Sequence, residues 1–122
     1  MPVIKIKRVY EEESKDDGLR VLVDRLWPRG IKKEALHYNK WAKEITPSAE
    51  LRTWVHQDPE NRWKEFTQKY TKELDASGAF VKFLQEIQSY KTVTLLYAAK
   101  DTTRNHAIIL KSHLDKALGQ KS

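Results

Sequence analysis

Residues 21–34 read VLVDRLWPRGIKKE. Val21, Leu22 and Val23 follow one another without a polar interruption, which predicts a strand over Arg20 to Leu26, buried on both faces at the centre of a sheet. The run then empties into Asp24, Arg25, Trp27, Pro28, Arg29 and Gly30. Pro28 and Gly30 forbid an immediate helix and impose an ordered loop. Charged, aromatic and turn-forming residues at the end of a buried strand are how an α/β domain presents functional side chains at the carboxyl edge of its sheet.

A second stretch repeats the pattern. Thr92 to Ala98, TVTLLYA, reads as another buried strand and empties into Lys100, Asp101, Thr102 and Thr103. Ala107, Leu110, Leu114 and Ala117 then give the stripe of a closing helix, with Asp101 or Thr102 as its cap. Upstream, Val3 to Tyr10 alternates Ile4 and Ile6 with Lys5 and Lys7, the period of an edge strand with one wet face. The loop Glu11 to Gly18 is near the lower length limit for a parallel crossover, so the direction of the first strand stays open.

Between the two buried strands the spacing predicts helices. A short one covers Leu36 to Ile45, with Trp41 and Ile45 on one face. A second is capped by Thr46, has Pro47 as its first residue and carries Leu51, Trp54 and Val55. A third starts at Asp58 and Pro59 and aligns Trp63, Phe66, Tyr70 and Leu74. After Ser77 and Gly78, a fourth carries Phe80, Phe83, Leu84 and Ile87. The expected fold is α/β over residues 1–122 as a single domain: a small, mainly parallel open sheet of about three to four strands packed with helices, Rossmann-like in its three-layer character. Right-handed crossover makes the two buried strands parallel, and if they are neighbours their loops share one crevice.

Composition narrows the chemistry. The 122 residues carry a formal charge of +6 and no cysteine. Disulfides, thiolate zinc sites, sulfur transfer and cysteine-phosphatase chemistry are thereby excluded. The cationic excess permits an anionic metabolite or nucleic acid as partner, although the lysines are scattered rather than gathered in one stripe. No apolar run reaches signal-peptide or membrane-spanning length, so no membrane association and a cytoplasmic location are expected. Gly119 to Ser122 read as a frayed end. His37, His56, His106 and His113 are too scattered for zinc, and no glycine-rich phosphate loop, nucleophile elbow or dinucleotide fingerprint occurs. Neither a metal nor a cofactor is expected.

Arg25 and Arg29 bracket a rigid loop, and guanidinium groups grip phosphate or carboxylate bidentately. Lys100 and the positive end of the last helix would reinforce them, making an anion site. The structural alternative is that Arg25 pairs with Asp24 or Asp101 and staples two loops. Asp24 is a candidate to move a proton or, more simply, to cap a loop. His106, in the first turn of the last helix, is expected neutral and able to accept a proton or a hydrogen bond. Trp27 would wall the pocket, stack on a base or an arginine, or pack the loop onto the core. Asp101 would orient Lys100 or cap the helix. The leading reading is a crevice for a small phosphorylated or carboxylated ligand, with enzymatic turnover left open. The alternative is a nucleic-acid-binding or regulatory interaction module without catalysis, for which no helix-turn-helix, zinc-finger or RNA-binding signature is present.

The segments KRVY (7–10), LVDRLWPRGIKKE (22–34), KEITPSAELR (43–52) and TLLYAAKDTTRNHAIIL (94–110) together resemble the YeaO-like proteins, the family known as domain of unknown function 488. The resemblance implies a compact α/β domain, mostly of bacterial proteins, and carries no established activity. Positions matching its signatures are Asp24, Arg25, Trp27, Pro28, Arg29 and Gly30, then Tyr97, Lys100, Asp101, Asn105 and His106, which adds Asn105 to the expected ligand-binding set. At His56 to Pro59 the chain departs from the longer His-Asp-Pro segment frequent in the family, and no role is placed on His56.

Overall fold

The computed structural model describes residues 2–119. The frayed end expected over residues 119–122 therefore lies, apart from Gly119, outside the described residues. Strands β1 (Val3–Arg8), β2 (Leu19–Leu22), β3 (Lys40–Trp41) and β4 (Thr92–Tyr97) form one sheet in the spatial order β1, β4, β2, β3, with every pairing parallel. The two buried strands are thus neighbours, Val21 lying opposite Leu95 and Leu22 opposite Leu96. β1 is an edge strand as its alternation requires, and its open direction is settled as parallel, with Ile4 opposite Val93.

The link from β1 to β2 contains a single turn of 3₁₀ helix, Lys15–Asp17, closed by a capping box. Ser14 Oγ accepts from Asp16 N at 3.2 Å, and Asp17 Oδ2 accepts from Ser14 N at 3.0 Å. Gly18 follows at φ 63°, and a Cβ there would run into the Thr92 carbonyl. Only glycine permits both the backbone angle and the close approach of this turn to β4.

Helices α1 (Ala49–Gln57), α2 (Pro59–Asp75), α3 (Gly78–Ile87) and α4 (His106–Ala117) supply the remaining regular structure. Pro59 opens α2 as expected. Two expected caps shift along the chain. Ser48, not Thr46, caps α1 by accepting from Leu51 N at 3.2 Å, while Thr46 turns its hydroxyl to the Lys43 carbonyl. Asn105, not Asp101 or Thr102, caps α4. A larger correction falls on residues 36–45, which are not a helix. Asn39 N donates to Arg20 O and Ala42 N to Leu22 O, so this segment adds β3 to the sheet and then makes a 3₁₀ turn over Lys43–Ile45. Open β2 backbone groups beside it outweighed a weak helical spacing.

The sheet has two different coverings. Val21, Val23, Val93, Leu95 and Tyr97 share one apolar cluster with helical residues including Phe66, Tyr70, Leu110 and Leu114. On the other side Leu22 and Leu96 are covered by Val9, Leu36, Trp27, Ile31 and Trp41, which come from loops and strand ends. The third layer is loop rather than helix. Within the described residues no helix is long and apolar enough to cross a membrane.

Beside this second cluster lies a buried polar knot. Arg20 pairs with Asp17 and donates through Nε to the His37 carbonyl at 2.7 Å. Lys7 Nζ meets the other Asp17 oxygen at 2.7 Å, and Thr94 Oγ1 donates to the Asp17 carbonyl at 2.7 Å. Burial alone would raise the Asp17 carboxyl. Lys7, the Ser14 amide and Arg20 outweigh it and hold the group below the ordinary value.

Candidate functional site

At the carboxyl edge of the sheet β2 and β4 diverge. Val23 N still donates to Leu96 O at 2.9 Å, and one residue later the Asp24 carboxylate takes over the ladder by accepting from Ala98 N at 2.9 Å. Asp24 therefore caps the strand pair. Its other oxygen lies 3.4 Å from His106 Nε2, at the first residue of α4. That nitrogen sits 2.6 Å from the Val23 carbonyl, so it carries the proton and donates, leaving Nδ1 as the acceptor of a neutral ring. Both side chains are largely buried, with 15% and 19% of their surface exposed. Burial raises the Asp24 carboxyl above its usual range and lowers the His106 imidazole, each partly offset by the other.

Around this pair lies a cleft of about 350 Å³ whose walls include Arg25 and Arg29 from the β2 loop and Arg52 from α1. Arg25 Nη1 reaches the Pro47 carbonyl at 3.4 Å, the outer limit of a hydrogen bond. None of the three guanidinium groups makes a close ion pair with a carboxylate among the described residues, although Arg52 acts on the Asp24 carboxylate through space. The expected alternative, Arg25 stapled to Asp24 or Asp101, is not what forms. Asp101 instead accepts from Thr103 N, Thr103 Oγ1 and Arg104 N within 2.9 Å and lies 3.3 Å from Arg104 Nε. Those donors hold its pKa down to about 2.

Asn105 is equally occupied. Oδ1 accepts from Ile108 N at 3.0 Å and Nδ2 donates to the Asp101 carbonyl at 2.9 Å. Asp101 and Asn105 thus shape the loop before α4, while Lys100 stands exposed at its start. Trp27 packs the opposing loop: its indole N–H donates to Ile31 O at 2.7 Å, and its ring meets Tyr38 and Trp41 edge-on at 5.7 and 5.5 Å. It lines the cleft from that fixed position. Asp24, Arg25, Trp27, Arg29 and His106 are brought together in this cleft, whereas Lys100, Asp101 and Asn105 line an adjoining lobe of about 270 Å³.

Sequence reasoning missed three contributors. Arg52 and His56, one helical turn apart on α1, line both lobes. The family-like segment KEITPSAELR contains Arg52, but nothing in its spacing says that α1 faces the crevice. Arg8, at the end of β1, donates to Ala99 O at 3.0 Å and Ala98 O at 3.3 Å, holding the β4 loop in place. A larger, more open depression of about 640 Å³ lies elsewhere, lined by Lys5, Lys15 and Lys91 among others. It contains no neighbouring acid and base comparable to Asp24 and His106, so the carboxyl-edge cleft is the better candidate. No group of three or more potential metal ligands occurs among the described residues.

Residues 3–122 match the family described as the inactive DUF488-N3 subclade. The chain belongs to this family. It is 47% identical to the uncharacterised protein YeaO of Escherichia coli K12 over 111 residues, covering 91% of this chain and 96% of YeaO. It is also 41% identical over 112 residues to uncharacterised proteins of Mycobacterium bovis and Mycobacterium tuberculosis, covering 92% of this chain and 93% of each. No solved structure gives a significant match.

Proposed function

We propose that this member of the DUF488-N3 subclade is a binding module whose carboxyl-edge cleft takes a small anion, phosphate or carboxylate, without turning it over. The observation that carries the reading is that Arg25, Arg29 and Arg52 line one cleft in which Asp24 is the single carboxylate among the lining residues, acting on Arg52 through space. One carboxylate does not balance three guanidinium groups, and the remaining positive charge favours a bound anion. The family description contains the word inactive, and the Asp24–His106 pair is consistent with it. Both groups spend hydrogen bonds on the backbone of the two loops. In this reading they form the floor of the cleft and fix the loops that present the arginines.

Thermal unfolding in sodium phosphate or sulfate, against sodium chloride at matched ionic strength, tests the proposal. A ligand that binds only the folded state raises the unfolding temperature with its concentration. Both oxyanions should do so in the wild type, and Arg52→Ala should remove most of the rise. Equal unfolding temperatures in all three salts would remove the anion reading.

A further inference from the structure

The cleft does not end at the arginines. Pro47, Arg52, His56, Ala99 and His106 line both it and the adjoining lobe, so the two lie side by side along one groove wall. The halves differ in chemistry. The first is walled by the three guanidinium groups. The second has an apolar wall made by Val55 of α1 and by Pro59, Trp63 and Phe66 of α2. Pro59 and Trp63 are one turn apart and share a helix face. The Trp63 ring is half-buried against Phe66, with centroids 5.0 Å apart, and this fixes the indole in the wall. Lys100 and Arg104 stand at the rim of this lobe, and Asp101 there has its charge taken up by its own loop.

A groove with a cationic end and a flat apolar wall selects ligands that carry an anion at one end and a planar ring at the other. Inorganic phosphate would fill only the first half. The groove is also within the size range of sites for small organic ligands. We infer that the ligand class is an organic phosphate bearing a planar heterocycle, a nucleoside monophosphate, with its phosphate between Arg25, Arg29 and Arg52 and its base against Trp63 and Pro59. This rests on the anion reading above and adds the ring to it. Stacking on the indole supplies affinity that depends little on base identity, because every base has a π face. Purine and pyrimidine monophosphates should therefore bind within a small factor of one another.

Calorimetric titration with inorganic phosphate, ribose 5-phosphate and AMP separates the two claims. AMP should bind about tenfold more tightly than ribose 5-phosphate, the gain expected of one stacked base. Trp63→Leu should erase that gain and leave the affinity for phosphate unchanged. The indole N–H resonance of Trp63 in the wild type gives a check independent of the variant's folding: AMP should move it and phosphate should not. If phosphate binds but AMP is no tighter than ribose 5-phosphate and the Trp63 signal stays still, the ring site is overturned while the anion site stands. If neither phosphate nor AMP binds, both readings fall.

Discussion

Two groups of arginines in this protein have opposite surroundings. Arg20, on the loop-covered face of the sheet, is almost fully buried, paired with Asp17 and bonded to the His37 carbonyl, with Lys7 on the other Asp17 oxygen. Arg25, Arg29 and Arg52, at the carboxyl edge, make no close ion pair among the described residues, and only Asp24 acts on Arg52 from a distance. A buried charge must be paired to be tolerated, so the first arrangement is explained by folding alone. The second gains nothing obvious for stability. Its cost is intelligible if something negative arrives from outside.

The most forceful way to break this contrast is to damage the paired knot. Asp17→Asn leaves the Arg20 guanidinium buried without its counter-charge and should destabilise the protein by about 3–5 kcal/mol in denaturant titrations. Phosphate binding by the fraction that remains folded should be unchanged. The same carboxylate fixes a pH response. Its folded pKa lies below the ordinary 3.8, so its contribution is complete above that value and is lost as pH falls below it. This part of the acid limb should be missing in Asp17→Asn.

Gly18→Ala probes the adjoining turn and should cost about 3 kcal/mol, since it combines a left-handed backbone angle with a collision against the Thr92 carbonyl. Its effect should appear in stability and not in the sulfate affinity of the folded protein.

At the other region the expected changes are in binding. Protonating Asp24 removes a negative charge from the cleft floor, and protonating His106 adds a positive one. Burial makes Asp24 take up its proton at a higher pH than an ordinary carboxyl and His106 at a lower pH than an ordinary imidazole. Sulfate keeps its charge on mild acidification, so its affinity should rise as the pH falls below neutrality, by about tenfold for each unit of charge changed several ångströms away at an intermediate dielectric. A flat calorimetric profile would detach the Asp24–His106 pair from the anion site. The smallest effect expected is on stability: Arg25→Ala and Arg52→Ala should move the unfolding free energy by no more than about 0.5 kcal/mol in phosphate-free buffer.

Much of this was legible in the chain because the relevant signals are local. The uninterrupted Val21–Val23 and Val93–Tyr97 runs specify central strands, and Asp58–Pro59 starts a helix in the expected place. The two loops that follow the strands carry their charge in sequence, so Asp24, Arg25 and His106 could be assembled in one crevice before their distances were known. What escaped is set by tertiary contacts. Residues 36–45 carry an ambiguous apolar spacing, and pairing with the open edge of β2 decides for a strand. Asp101 and Asn105 look like ligand contacts by type, yet their polar atoms are consumed by their own turn and cap. Arg52 and His56 belong to a helix whose packing angle no local pattern encodes. Trp27 stands between charges in sequence and against Trp41 and Tyr38 in space.

The arginine Nε–H resonances report on both regions at once. On titration of labelled protein with inorganic phosphate at constant ionic strength, those of Arg25, Arg29 and Arg52 should shift along saturable curves with a common dissociation constant, while Arg20 stays fixed. Shifts that are absent, or linear and equal at exposed arginines throughout the protein, would contradict an anion site at the carboxyl edge.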